Sequence, residues 1–567
     1  MKRKFFGSAW RVIFTFILCL SLAGVSTREA KALTYTVSNL NNSGVGSLRQ
    51  AIIDANVNTG VADTITFTVS GTITLTSSLP TIIDDLTLDG SGQEVTVDGN
   101  NLYRVLRINP GKTVTINHLS IANGVSTGST GGAILNSGGY LTVTQSVLSG
   151  NSATSGGAIY NDGGTTTVTD STFSANSADY GGAILVFSGS VTVANSTFSG
   201  NSAVEGGGGI HSSQTTGTND LIVTNSTFSG NTAHYGGGIY SNTGTLAVTN
   251  ATFSGNSATT AGADIYRWKG TFYLKNTILA NPTSMEDCFG SGSMAADVNN
   301  LIELNSGCGT PASSADPMLG PLGNNGGHTQ TFALLAGSPA LDAGSDAACA
   351  AAPVSNKDQR GVTRPFGAHC DIGSYEKNTG VLTTRSVGTY DGYILESGET
   401  TNTGGTLNST ATTFHLGDEA GDKQYRAILS FNTASLPDTA VITKVTLKIR
   451  KQALVGTDPF TILSVLRADI RKPFFGTGLA LVAADFQAPA NRSNVGTFNA
   501  TPVNNWYTTV LLNTAFPFVN KTGTTQFRLR FVTGDNDDGA ADYMKFFSGN
   551  YATAAARPTL VIEYYVP

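Results

Sequence analysis

Six side chains recur at one point of a repeated phrase. Leu135, Tyr160, Leu185, His211, Tyr240 and Tyr266 each follow an isoleucine, at steps of 25, 25, 26, 29 and 26 residues. Rings one repeat apart along a groove offer flat faces for sugar rings, which makes Tyr160, His211, Tyr240 and Tyr266 candidate glycan contacts. The competing reading is a covered ladder of ordinary strand residues. A second set is basic. In "TKVTLKIR", Val445, Leu447 and Ile449 share one face of a strand and leave Lys444, Lys448 and Arg450 on the other. In "FRLRF", Arg528 and Arg530 oppose Phe527, Leu529 and Phe531 in the same way. As neighbours these two strands would form a basic strip suited to uronate carboxylates through paired guanidinium contacts; otherwise they are solvated strand faces. Trp506 and Tyr507 offer rings either to a sugar or to a core. A third set is acidic: Asp535, Asp537, Asp538 and Asp542 crowd into "GDNDDGAAD". Such a turn is a candidate for Ca²⁺, which takes roughly six to eight oxygens, although the spacing is not that of a helix–loop–helix calcium site. An acidic surface turn is the alternative.

Catalytic residues are harder to find. Hydrolysis of pectin-type polymers needs clustered carboxylates, one of them protonated as general acid. Asp84-Asp85 is an isolated pair before the repeats, and Leu135 to Tyr266 contains no Lys or Arg to serve as a lyase base. Asp162, Asp170, Asp179, Glu205, Asp220 and Asp264 fall in different columns of the repeat. No catalytic residue is assigned on this basis.

These residues must be held by something regular, and the repeat supplies it. The isoleucine column runs Ile134, Ile159, Ile184, Ile210, Ile239, Ile265. A valine column follows from Val143 to Val248, and an aromatic column contains Phe173, Phe198, Phe228 and Phe253. Two polar columns accompany them, one from Gln145 to Asn276 and one through Asn151, Asn176, Asn201, Asn231 and Asn256. Short Val-, Thr- and Ile-rich runs broken by Gly, Asn and Ser are strands separated by turns. A fixed period near 25 residues then means stacked coils of two or three strands, a parallel β-helix. The crossover rule makes it right-handed. Each coil leaves its apolar face and backbone donors unmet until a like coil covers them. Asn195-Ser-Thr and Asn225-Ser-Thr match the glycosylation pattern, but stacking explains them better. Ser47 is placed to cap a short helix whose Leu48, Ile52 and Ile53 would close the open end.

Composition sets the compartment. The 567 residues include 67 glycines and only 13% charged residues. Lys2, Arg3 and Lys4, an apolar run from Val12 and Ala30-Lys31-Ala32 form a signal peptide over residues 1–32. Its core is shorter than the ~20 residues of a membrane span, no later segment is apolar enough to span, and Cys19 lacks the small preceding residue of a lipoprotein. An exported, soluble, monomeric protein is expected. Cys288, Cys308, Cys349 and Cys370 then suggest two disulfides in an oxidising compartment. Proximity favours Cys288–Cys308 and Cys349–Cys370, while all three pairings stay open. Residues 33–383 hold 11 basic and 23 acidic residues, net −12, against 16 and 15, net +1, beyond. The acidic part repels phosphate backbones, so no nucleic-acid partner is expected.

The "GGAI" and "FSGN" pairs resemble the GGA-I and F-x-x-N repeats of polymorphic outer-membrane and adhesin-like proteins. "NNSGVGSLRQAIIDAN" resembles the CSLREA segment that begins such β-helices, without its cysteine. "SPALDAG", "DQRGVTRP" and "CDIGSYE" resemble the end of choice-of-anchor Q domains of bacterial surface proteins. After a linker at residues 377–384, period-two strands and turn residues predict an antiparallel β-sandwich over 385–567. "AILSFNTASLPDTAVITKVTLKI", "NWYTTVLL" and "ARPTLVIEYY" are similar to DNRLRE-type carbohydrate-binding jelly rolls. That resemblance implies a sandwich that binds polysaccharide, often acidic.

The expected protein is therefore all-β: a capped right-handed parallel β-helix at 33–376 followed by a carbohydrate-binding jelly roll. Its expected work is adhesin-like, non-catalytic attachment to polysaccharide at the cell surface or outside the cell. No cofactor is required, with calcium the one candidate. A polysaccharide lyase or glycoside hydrolase with an appended binding domain is the alternative.

Overall fold

The computed structural model describes residues 31–213, 220–291 and 293–566. Most of the expected signal peptide, together with Cys19, lies outside these residues. The chain divides at Lys377/Asn378 into two compact units.

The first unit is a parallel β-helix. Four sheets run along it, of eleven, ten, nine and six strands, and in each the neighbours come from successive coils. Register is one-to-one: Ile134 lies over Ile159, Ile159 over Ile184, and so on to Ile265. Phe173, Phe198, Phe228 and Phe253 are fully buried and stack with centroids 4.8, 4.7 and 4.4 Å apart and planes within 6°. The core is thus a set of internal files of like side chains.

The central coils carry four strands, not the expected two or three. One coil comprises Ile159–Asp162, Thr165–Thr169, Thr172–Ser174 and Ser177–Tyr180. The fourth strand has the Ser- and Ala-rich composition of a turn, but it pairs with its equivalent in the adjacent coils.

The two polar columns divide their labour. Gln145, Asp170, Asn195, Asn225, Asn250 and Asn276 occupy corners with φ between 45° and 51°, a region that Asn and Asp tolerate better than other non-glycine residues. Asn151, Asn176, Asn201, Asn231 and Asn256 are fully buried. Asn176 Nδ2 donates to Leu148 O at 2.9 Å and to Asn201 Oδ1 at 2.9 Å, and Asn201 Oδ1 also accepts from Asn176 N at 3.0 Å. The paired glycines have equally specific reasons. Gly156 has φ 64°, and a Cβ on Gly157 would collide with the Gly182 carbonyl of the next coil.

The helix Leu48–Val57 closes the first coils, with Ser47 Oγ accepting from Gln50 N at 3.2 Å. Leu48, Ala51, Ile52 and Ala55 are buried, whereas Ile53 is 41% exposed. The 3.6-residue period carries Ile53 round to the side and brings the two alanines beneath in its place.

From about residue 317 the chain turns back over the outer face of the ten-stranded sheet. Gln359 Nε2 donates to Thr197 Oγ1 at 3.0 Å, and Thr227 Oγ1 donates to Gln359 Oε1 at 2.6 Å. Ser374 N donates to Thr252 Oγ1 at 2.9 Å, and Ser345 N to Asn276 Oδ1 at 2.8 Å. The strap is tied internally by Arg360–Asp358 at 2.6 Å and by buried Arg364, which donates to the carbonyls of Asp371 and Gly373. Asn225 Nδ2 donates to Lys357 O at 2.9 Å, so this amide is engaged by the strap. Disulfides join Cys288 to Cys308 and Cys349 to Cys370.

The second unit is an antiparallel β-sandwich with its own core. Residues 377–384 are not a linker. Thr379–Arg385 is a strand along the C-terminal strand Thr559–Tyr565, in register from Thr379↔Tyr565 to Arg385↔Thr559. Its "TGVLTTR" alternates, and Leu382 packs against the core. The long strand Val441–Val455 pairs first with Thr559–Tyr565 and then with Asp542–Phe547, and so runs through both layers.

Candidate functional site

The sandwich brings three of the candidate residues together. Trp506–Val510 pairs with Val441–Val455, with Arg450 opposite Trp506 and Lys448 opposite Thr508. Alternation turns Val445, Leu447, Ile449 and Tyr507 inward, all at most 1% exposed, and Lys448, Arg450 and Trp506 outward. The Thr559–Tyr565 and Thr379–Arg385 strands complete the floor and add Arg385, which hydrogen-bonds Thr559. Around them lies an open cleft of about 630 Å³, whose lining includes Trp506, Lys448, Arg385, Asn499, Asn504 and Thr508. The Arg450 guanidinium stands 6.0 Å from the Trp506 ring centre. Asn504 and Asn505, both with positive φ, form the turn that starts the Trp506 strand. Among the described residues, Arg385, Lys448 and Arg450 make no ion pair, so the charge of Arg385 and Lys448 faces the cleft uncompensated, with that of Arg450 beside the ring. An indole face beside two cations and several amides or hydroxyls can stack on a sugar ring, pair with its carboxylate and hydrogen-bond its hydroxyls.

Arg528 and Arg530 belong to a different surface. Their strand, Thr524–Phe531, lies between Lys423–Asn432 and Leu466–Arg471, not beside Val441–Val455, so the expected basic strip does not form. Phe527, Leu529 and Phe531 do face the core. Arg528, on the opposite face, is covered by a second apolar layer containing Phe475, Leu481 and Phe486 and is 6% exposed. Its Nη2 is 2.9 Å from Asp469 Oδ2, and Nη1 donates to the carbonyls of Asp485, Phe486 and Ala488. Arg530 Nε lies 3.5 Å from the same carboxylate. Arg528 is thus enclosed within the sandwich, its guanidinium engaged by Asp469 and three carbonyls.

The aromatic column of the β-helix faces out of the coil as expected but is not open. His211 stacks on Tyr240 at 4.4 Å, Tyr240 on Tyr266 at 5.2 Å and Tyr266 on Phe289 at 5.4 Å, while Tyr160 stacks on Phe187 at 5.8 Å. Tyr180 and Tyr235, from the fourth-strand column, pack against the same file. Because the register places ring over ring along the axis, the faces a sugar would need are occupied by the next ring. Burial drives the His211 pKa down to about 4, and its Nδ1–H donates to Gly206 O at 3.0 Å. Burial and neighbouring Asp162 push the Tyr160 hydroxyl up to about 12. Asp264 and Asp287, carboxylates of neighbouring coils, are buried inside the stack, out of reach of a polymer.

The acidic turn acquires members invisible to local reading. Asp418 of the strand Thr413–Glu419 lies directly across from Asp542. Asp422 accepts from Gly539 N at 3.0 Å. Asp535 is held above the usual carboxylate range by burial and by the Asp537, Asp422 and Glu399 charges. Asp538 caps Ala540 N at 2.7 Å.

Residues 104–281 match the family model described as "Right handed beta helix region". No curated protein matches the chain. Among solved structures, jun a 1, the major allergen from cedar pollen, is similar at 15% identity, covering 49% of this chain and 81% of that one, with a TM-score of 0.24. The family match falls on the stacked coils, and the first unit is a right-handed parallel β-helix.

Proposed function

We propose that the protein is exported and attaches, without catalysis, to a polysaccharide carrying carboxylates, and that the Trp506 cleft of the sandwich is where it does so. One observation carries this reading: a half-buried indole lines an open cleft with Lys448 and Arg385, with Arg450 beside the ring, and none of the three is neutralised by a protein carboxylate among the described residues. Cations left unpaired around a flat ring suit an anionic sugar better than a neutral one. On a glycan array, the full mature chain should bind uronic-acid polymers, with affinity falling as salt rises. Replacing Lys448 and Trp506 together should abolish that binding without changing the fold. Absence of binding to every acidic glycan ends the proposal. Incubation with the same polymers should release no reducing or unsaturated ends, and sustained release would make the protein an enzyme.

A further inference from the structure

The carboxylates at one end of the sandwich are arranged around an empty need for positive charge. Asp418 is fully buried, and neither of its carboxylate oxygens completes a hydrogen bond. An isolated buried carboxylate is among the most unfavourable groups a protein can contain. Its cross-strand partner Asp542 is 1% exposed and carries a second charge on the same face. Asn536 lies over the pair: its Nδ2 donates to Asp538 Oδ2 at 2.8 Å and reaches Asp542 Oδ2 at 3.4 Å, while its Oδ1 is buried without a partner. Three buried oxygens thus lack donors in one place, and Asp422, Asp535, Asp537 and Asp538 raise the negative potential around them. Lys423 pairs with Glu419, not with any of these groups.

We propose that Asp418, Asp542 and Asn536 Oδ1 form a calcium site that ties the 534–539 turn to the strand Thr413–Glu419. Oxygen-only donors, two carboxylates and an amide suit a hard divalent ion with room for backbone carbonyls and water, which is the chemistry of Ca²⁺. The sequence-predicted set is thereby relocated. Asp535, Asp537 and Asp538 supply field from the rim, and the deepest ligand comes from a strand more than a hundred residues earlier. This site lies on different strands from the Trp506 cleft, and it stands whether or not the cleft binds glycan.

The test is titration of CaCl₂ into EDTA-stripped full-length mature protein, followed by calorimetry of binding and by thermal melts. One ion should bind per chain. A hundredfold excess over Kd should raise the Tm of the sandwich transition by roughly 5–10 °C. Asp418→Asn should weaken calcium binding at least tenfold and, relieved of a buried charge, should melt above the wild type in EDTA. Asn536→Ala, a turn substitution that leaves the strands intact, should also weaken binding. A wild-type melt indifferent to calcium overturns the proposal. So do variants that bind as the wild type does.

Discussion

At the scale of single residues, Trp506 and Arg528 show how one alternating pattern leads to opposite fates. Both point away from the main core, but Trp506 stays half-buried on an open cleft, whereas Phe475 and Phe486 roof over Arg528. Trp506→Ala should therefore weaken glycan binding about tenfold or more, roughly 1.4 kcal/mol, with an unchanged Tm. Arg528→Ala should do the reverse. Removing the guanidinium leaves Asp469 buried with only the more distant Arg530 and strips three carbonyls of their donor, which costs about 3–5 kcal/mol in denaturant melts. The outward direction of Lys448 and Arg450 was legible in the strand pattern, whereas the choice between Trp506 and Tyr507 was settled only by the pairing of Trp506 opposite Arg450. The burial of Arg528 was not legible, because its cover comes from residues more than forty positions away in loops with no pattern of their own.

At the scale of the coil, stability resides in files instead of pairs. Phe198→Ala interrupts a stack whose rings are 0% exposed and should cost about 3–5 kcal/mol. Asn201→Ala leaves Asn176 N and its own former acceptors unpaired inside the protein and should cost about 1–3 kcal/mol. Asn195→Gly, at a corner with φ 51°, should change stability little, because glycine adopts that conformation freely. Chemical denaturation of the three variants checks the order. The last coils carry a pH-sensitive contact of their own. Asp287, one coil beyond fully buried Asp264, has its pKa raised to about 7 by burial and the Glu303 charge, and Asp264 is raised well above normal by burial and by Asp287. An unfolded chain releases these protons near pH 4 and the folded one retains them longer. The contribution is therefore complete below about pH 4 and is lost as pH rises towards 7. Asp287→Asn cannot ionise and offers an N–H to the orphaned Asp264 Oδ2. It should stabilise the β-helix by on the order of 2–4 kcal/mol at pH 8 and flatten the Tm profile between pH 4 and 7.

At the scale of the whole chain, both disulfides lie in the first unit, and the sandwich contains no cysteine. Each closes a loop of about 20 residues, for which the chain-entropy account gives roughly 3 kcal/mol. Reduction should lower the melting transition of the β-helix and leave that of the sandwich in place. Scanning calorimetry with and without reductant distinguishes the two. Cys349–Cys370 also fastens two parts of the strap that lies over the ten-stranded sheet. Reduced protein should accordingly be cut by proteases first between residues 345 and 376.

The sequence alone determined the β-helix, because in a stack each side chain's neighbour is its own equivalent one period away. A one-dimensional repeat therefore states the three-dimensional contacts. Strand alternation likewise determined that the second unit has faces, and which residues share one. Only the tertiary structure decided which strands lie side by side, which charged faces are roofed over, and that Asp418 meets Asp542. Those contacts join segments that differ in sequence and lie far apart along the chain, and the free energy that selects them comes from collective burial, which no local pattern records.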